Sequence, residues 1–298
     1  MVRQTNPGSA AYCAWSQQNG PNKALIFSSI FISFKGVIDG VGAGCRSLIG
    51  VDGTHLKGNY GGILKDCNRG DDWCIMSDRQ KGIDPALTEL WPEVKRSATS
   101  PFTFKKAMNR IKKANHLALV WLSKLGDQER WTKHKYDPKI CSDENTSNFV
   151  ESSNATLGVD RCRPILTLLE GIRRVCMTRI ASRRQKCQDW NNADPCPNIV
   201  KRIRKLMHDS RTCKAYQSRK GEYEIMEGKS MLPVSLNNKN CICGVWQTTG
   251  IPCRHAIRAI LAAGYDPHRY VSTWYSGRAY KQAYAHHINT IPDHEHWP

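Results

Sequence analysis

The chain has 298 residues, enough for one large domain or two ordinary ones, and 40% of them are hydrophobic, which is sufficient for a core. Lys and Arg number 44 against 26 Asp and Glu, so the formal net charge is +18. A charge of this size favours a polyanionic partner, a nucleic acid first and an anionic membrane surface second. The basic helices lack a flanking exposed aromatic face, and no apolar run reaches the roughly 18 residues of a spanning helix, so we expect no membrane role.

Cysteine usage indicates a reducing compartment. The 13 cysteines are scattered through a long chain without paired spacing, which favours free intracellular thiols over a disulfide scaffold. The N-terminal stretch 1–8 lacks the apolar core of a signal peptide, so we expect no secretion. Together with the basic charge, this predicts a nuclear protein.

The first half of the chain shows short apolar runs. Residues 24–32 are predicted to form a strand or a short helix. Two later runs, 45–52 and 73–78, each end on an aspartate, as a buried strand does when it presents a carboxylate at its C-terminal edge. Further along the chain, periodicity predicts helices over 102–125, 163–187, 198–214 and 270–285, and strands over 223–227 and 232–236.

The strongest local pattern lies near the C-terminal end. Cys241 and Cys243, followed after nine residues by Cys253 and His255, can close a tetrahedral Cys₃His site of the type used for structural zinc. A turn signal at 249–252 precedes Cys253 and His255, and residues 256–261, which favour a helix, follow them. The pattern predicts a small ββα module with two ligands on a strand or hairpin and two at a helix start. The alternative is four buried or reactive side chains without a metal.

These residues carry a resemblance to known families. The zinc pattern, with Trp246-Gln247, Gly250-Ile251-Pro252-Cys253 and His255-Ala256, resembles a SWIM-type zinc finger, in which Trp246 would pack beside the metal. Upstream, three segments resemble the catalytic blocks of plant Mutator-like element transposases. They are Gly50-Val51-Asp52-Gly53-Thr54-His55-Leu56-Lys57-Gly58 with Tyr60-Gly61-Gly62, then Ser77-Asp78-Arg79-Gln80-Lys81-Gly82-Ile83, and Glu151-Ser152-Ser153-Asn154.

The transposase resemblance implies an RNase H-like core with a triad of acidic residues. Carried over position by position, the triad would be Asp52, Asp78 and Glu151. Two Mg²⁺ ions held by these carboxylates would activate a nucleophile for in-line attack on a DNA phosphodiester. The basic surface would hold the DNA backbone in a salt-sensitive, largely sequence-independent way.

The sequence also departs from that family. The resemblance implies two more strands and a helix between the strands that carry the first two acids, and these elements with their turns need roughly 25 to 35 residues. Only fifteen residues, 63–77, separate the first block from Asp78. The two strands that carry Asp52 and Asp78 would then have to pair without their normal neighbours. A second family segment is missing after 91–93. Because a two-metal site requires precisely held carboxylates, we interpret the core as catalytically inactive.

The sequence therefore predicts a helix-rich α+β protein with an incomplete RNase H-like core and a ββα SWIM zinc module. Its predicted function is zinc-dependent binding of DNA or of a protein partner, and its predicted cofactor is structural Zn²⁺. The alternatives are an active Mg²⁺-dependent transposase and a decaying gene product without a selected role. Predicted domains are a degenerate transposase core at 1–160, a basic helical region at 161–220, the zinc finger at 221–265 and a helix with tail at 266–298.

Overall fold

The computed structural model contains helices and small sheets, so the described part of the chain is of the α+β class. It has no helix that is both long and apolar enough to span a membrane among its described residues. The described residues are 1–17, 25–46, 48–51, 53–55, 63–65, 74–77, 99–114, 116–117, 120, 135, 138–142, 155–156 and 158–296.

The N-terminal segment forms a hairpin between two short helices. After α1 (Val2–Thr5), strand β1 (Ala10–Gln17) pairs antiparallel with β2 (Leu25–Ser33), and α2 (Lys35–Gly44) follows. The apolar run at 24–32, predicted to be a strand or a short helix, is thus a strand in its described part, 25–32. Its partner β1 was not predicted.

The next segment contains two pairs of short strands. Strand β3 (Leu48–Val51) pairs in parallel with β6 (Cys74–Ser77), which confirms the two strands predicted to precede aspartates. Between them along the chain, β4 (Gly53–His55) pairs antiparallel with β5 (Ile63–Lys65). In this segment, the described residues form these two separate strand pairs. The RNase H-like core stays a prediction.

Three helices carry most of the basic residues in the middle of the chain. They are α3 (Pro101–Ala114), α4 (Ile165–Lys186) and α5 (Pro197–Asp209). The last one is shorter than predicted, because a 3₁₀ turn at Ser210–Thr212 turns the chain into a strand that begins at Lys214. Further 3₁₀ turns lie at Pro138–Ile140, Gly158–Cys162, Pro267–Tyr270, Thr273–Tyr275 and His294–His296.

A four-stranded antiparallel sheet precedes the C-terminal helices. Its strands are β7 (Lys214–Arg219), β8 (Glu222–Glu227), β9 (Ser230–Ser235) and β10 (Asn240–Cys241), ordered β10-β9-β8-β7. The predicted strands at 223–227 and 232–236 correspond to β8 and β9. Sequence reasoning missed β7, whose residues are mostly polar and exposed. The predicted domain limit between 220 and 221 falls in the turn between β7 and β8.

The remaining helices follow the sheet. They are α6 (Val245–Thr249), α7 (Arg254–Ala262) and α8 (Gly277–Ala283). Helix α8 is shorter than the predicted helix at 270–285, because the Ser276 hydroxyl accepts a hydrogen bond from the Ala279 N–H at 3.2 Å and so caps the helix at this point.

Helix α7 is buried on two sides. One side packs on the sheet in a cluster that includes Ile225, Val234 and Ile260, each at most 2% exposed. The other side places Ile257 against Ile203 of α5, and both are fully buried. The zinc-motif helix and the basic helix α5 therefore share one apolar contact.

Helices α2 and α8 meet through glycines. Gly36, Gly40 and Gly44 recur every four residues on α2 and so lie on one helical face. A Cβ at any of them would clash with backbone atoms of His287, Ala283 or Ala279 in and after α8. Because these three positions carry no side chain, the backbone of α2 can pack directly against the C-terminal part of the chain.

We expect Gly40→Ala to destabilise the protein by about 1 to 3 kcal/mol, the usual cost of overpacking. Gly42→Ala is the matched control, because a Cβ at Gly42 meets nothing within 4 Å. That change should stabilise by about 0.5 to 1 kcal/mol through helix propensity. Urea unfolding of both variants measures the difference, and equal free energies of unfolding would contradict this packing.

Candidate metal centre

The four predicted ligands are brought together by a strand end and a helix start. Cys241 ends β10, and Cys243 follows in the turn that leads into α6. Cys253 is the N-cap of α7, and His255 lies in the first turn of that helix. This is the placement that the sequence predicts.

Two glycines shape the connection between the ligand pairs. Gly244 and Gly250 cap α6 at its two ends with φ of 78° and 71°, in the left-handed region that side chains disfavour. A Cβ at Gly244 would also clash with the Thr99 carbonyl oxygen, while the Thr99 hydroxyl donates to the Cys243 carbonyl at 2.5 Å. The turn that carries Cys243 is thus held against the start of α3.

The ligand atoms have the spacing of a tetrahedral site. The three Sγ atoms and a ring nitrogen of His255 all lie within 4.8 Å of one another. His255 Nδ1 is 3.7 Å from Cys241 Sγ and 3.8 Å from Cys253 Sγ. A zinc ion with Zn–S of about 2.3 Å and Zn–N of about 2.0 Å in tetrahedral geometry requires S···N separations of about 3.5 Å. The residues therefore fit zinc, with Nδ1 as the ligating nitrogen.

The site is largely closed to solvent. Cys241 is 0% exposed and Cys253 is 5% exposed, and the His255 ring is also buried. Cys243 is half-buried and lines a cavity of about 370 Å³ together with Arg202 and Arg254. Four protein ligands without an open position are typical of structural rather than catalytic zinc.

The start of α7 contributes one interaction that favours a thiolate at Cys253, although its cysteine neighbours and burial raise the pKa of this thiol overall. Its Sγ accepts a hydrogen bond from the Ala256 N–H at 3.4 Å. The free N–H groups and the positive end of the helix dipole both favour the anionic form of sulfur, which is the form that binds a metal. The N-cap therefore serves the helix and the ligand set at once.

Sequence reasoning missed Glu227. Its Oε2 lies 3.0 Å from His255 Nε2, the ring nitrogen that faces away from the cysteines. A signal was present in the predicted strand, because Tyr223, Ile225 and Glu227 alternate onto one face and the first two are buried. A carboxylate at an inward position of a strand requires a partner. The partner could not be read from the sequence, since it depends on how β8 packs on α7.

Trp246 packs as predicted. It is 2% exposed and belongs to the same apolar cluster as Cys241 and Cys253. Its ring meets Tyr270 edge-on, with centroids 6.1 Å apart, a favourable aromatic geometry. The side chain therefore connects the metal ligands with the segment after α7.

The ionisation of the cluster without a metal is unlike its metal-bound state. Burial lowers the pKa of His255, but hydrogen bonds with Cys241, Cys243 and Glu227 outweigh burial and raise this pKa to about 11. Hydrogen bonds with Cys241 and Cys253 lower the pKa of Cys243, whereas those with Cys241 and Cys243, together with burial, raise the pKa of Cys253. These directions favour the anionic form of Cys243 and the protonated form of His255 in the cluster without a metal.

The three acidic residues implied by the transposase resemblance cannot be compared with this cluster. Asp52, Asp78 and Glu151 all lie outside the described residues. Their role as Mg²⁺ ligands stays a prediction.

The fold and the donor set of residues 213–262 define a metal-binding module of the Cys₃His class, built from a small sheet and the helix that follows it. Residues 227–264 match the family model of the SWIM zinc finger, so this part of the chain is a SWIM zinc finger. A search of curated proteins and a search of solved structures each gave no match.

We expect the purified chain to bind one zinc ion per molecule and Cys253→Ser to lose tight binding. Zinc contributes about 10 to 16 kcal/mol of apparent binding free energy in zinc-finger peptides, so this variant should also lose the fold of the module. Cys162→Ser is the control, because Cys162 is exposed and lies outside the cluster. Metal analysis and circular dichroism before and after chelation measure both effects. Equal zinc content in the two variants would refute the assigned ligand set.

Zinc binding should release protons and weaken as the pH falls. The metal needs a neutral His255 and thiolates, whereas the raised pKa values keep His255 and Cys253 protonated near neutral pH. Lower pH increases the competing protonated forms, so apparent affinity must decrease from about pH 8 to about pH 6. Titration calorimetry in buffers of different ionisation heat counts the protons. Zinc binding without proton release would contradict the protonation state described above.

Proposed function

We propose that the protein is a zinc-stabilised DNA-binding protein derived from a transposase. The SWIM zinc finger supplies the fold of its C-terminal part, and helix α5 presents cations to the DNA backbone. The observation that carries this proposal is the buried contact between α5 and the metal-bearing helix α7.

That contact orients α5 with its cations outward. Ile203 is fully buried against Ile257, while Lys201, Arg204 and Lys205 on the remaining surface of α5 are exposed. The positions of two of the four ligands depend on α7. Loss of the metal would therefore loosen the element on which α5 rests, and zinc binding and DNA binding should be coupled.

The charge of the chain supports DNA over a neutral partner. A formal charge of +18 creates a field that attracts phosphate backbones, and each phosphate contact releases counterions. The binding we propose is salt-sensitive and largely sequence-independent. Nuclear localisation is part of the same proposal, because the chromosomal DNA that the protein would bind is there. A protein partner for the zinc finger remains the alternative to DNA.

One observation favours the second candidate function, Mg²⁺-dependent cleavage or transfer of DNA strands. Strands β3 and β6 are parallel and in register from Leu48 opposite Cys74 to Val51 opposite Ser77. Asp52 and Asp78 directly follow these last two residues in the sequence. Carboxylates at the ends of adjacent parallel strands suit a two-metal site, as the resemblance implies, with Glu151 as the third acid. Nicking activity that is lost in Asp52→Asn would establish this function.

We expect the double variant Lys201→Glu/Lys205→Glu to bind duplex DNA at least tenfold more weakly than the unaltered chain, with a smaller dependence of affinity on salt. Lys112→Glu/Lys113→Glu on α3 carries the same change in charge and is the matched control. Fluorescence anisotropy over a salt series measures both quantities. Chelation of zinc should weaken binding as well.

Two results would contradict the assignment to α5. If both double variants lose the same affinity, net charge alone governs binding. If neither loses affinity while zinc is bound, DNA is not the partner of this helix, and the protein-partner alternative gains support.

A further inference from the structure

We propose that Glu227 is a positioning residue of the zinc site, which holds the imidazole of His255 so that Nδ1 faces the metal. This inference rests on zinc binding, which is part of the proposed function, but it does not depend on DNA. It concerns a residue outside the ligand pattern.

The geometry assigns a different role to each ring nitrogen of His255. Nδ1 of His255 is the nitrogen near the cysteine sulfurs, 3.7 Å from Cys241 Sγ and 3.8 Å from Cys253 Sγ. A metal at that position uses the lone pair of Nδ1, so the ring proton must be on Nε2. Nε2 is 3.0 Å from Glu227 Oε2, hence it donates a hydrogen bond to the carboxylate. Carboxylates in this position fix the tautomer and ring orientation of a ligating histidine and increase its basicity.

Glu227 is itself held from several sides. The Arg254 guanidinium lies 2.9 Å from its carboxylate, and the buried Cys213 Sγ lies 4.0 Å from Oε1. Its backbone ends β8 and pairs with Ser230 across the tight turn to β9. These contacts on the main chain and on both carboxylate oxygens restrict the position of the acceptor for Nε2–H.

One competing explanation for Glu227 is an ion pair with Arg254 alone. Arg254 is 48% exposed in its side chain, and exposed pairs stabilise proteins by no more than about 1 kcal/mol. The His255 side chain is only 9% exposed, so an Nε2–H without its acceptor would be a buried donor with no partner. The two explanations therefore predict different effects for substitutions at Glu227 and at Arg254.

The test measures zinc affinity of the full chain by competition with a chelator. We expect Glu227→Ala to weaken zinc binding by about 10- to 100-fold. Glu227→Gln, which keeps an acceptor oxygen but not the charge, should recover part of that loss. Arg254→Met, which leaves the His255–Glu227 contact intact, should lose less than Glu227→Ala. Glu224→Ala on the exposed face of the same strand is the matched control and should leave affinity unchanged.

Nuclear magnetic resonance of the zinc-loaded protein gives a second readout that a purely structural role would not change. The Nε2–H proton of His255 should exchange slowly with water in the unaltered chain and rapidly in Glu227→Ala, while Nδ1 keeps the chemical shift of a metal-bound nitrogen. The inference is overturned if Glu227→Ala and Glu224→Ala bind zinc equally well, or if Arg254→Met loses as much affinity as Glu227→Ala. If Glu227→Ala does not fold, Glu227→Gln decides by the same two measurements. An unaltered chain that binds no zinc would refute the proposed function itself.

Discussion

The C-terminal half of this protein depends on one constraint: four ligand atoms must lie close enough together to bind a single metal ion. Cys241 and Cys243 come from the end of a sheet, and Cys253 and His255 come from the start of α7, so a metal that binds all four joins the sheet to the helix. A small module of this kind has a modest apolar core, and metal binding supplies folding free energy that the core cannot.

Helix α7 extends that constraint to the rest of the structure. It packs on the sheet through residues such as Ile260 and on α5 through Ile257, so the metal, the sheet and the basic helix form one connected arrangement. The N-terminal helix α2 joins the C-terminal part separately, through glycines that allow its backbone to touch α8. The exposed cations of α5 are not among the metal ligands. Through the packing of α5 on α7, the DNA binding that we propose for them would still depend on zinc.

The sequence predicted that Cys241, Cys243, Cys253 and His255 come together and that Trp246 packs beside them, because their pattern is local. Two close pairs of ligands around a turn leave little freedom in how they meet, and an aromatic between them has few places to pack. Strands β3, β6, β8 and β9 were also predicted, since alternation or short apolar runs mark them. Strand β7 was missed because it is mostly polar and exposed, and its extended form depends on its pairing with β8 and on the packing of Ala215, which no local pattern reveals. The ends of α5 and α8 were misplaced because a 3₁₀ turn and a serine cap set them rather than hydrophobic periodicity.

The amino-acid sequence by itself determined the SWIM-type pattern, its four candidate ligands and the positive charge of the chain, because these are properties of residue identity and of short spacing. Only the tertiary structure decided that Nδ1 of His255 faces the sulfurs, that Glu227 receives the other ring nitrogen and that α5 rests on α7. The reason is that each of these depends on the register and packing of elements distant in sequence. Glu227 is 28 residues before His255, and no local pattern links a strand residue to the ring that it orients.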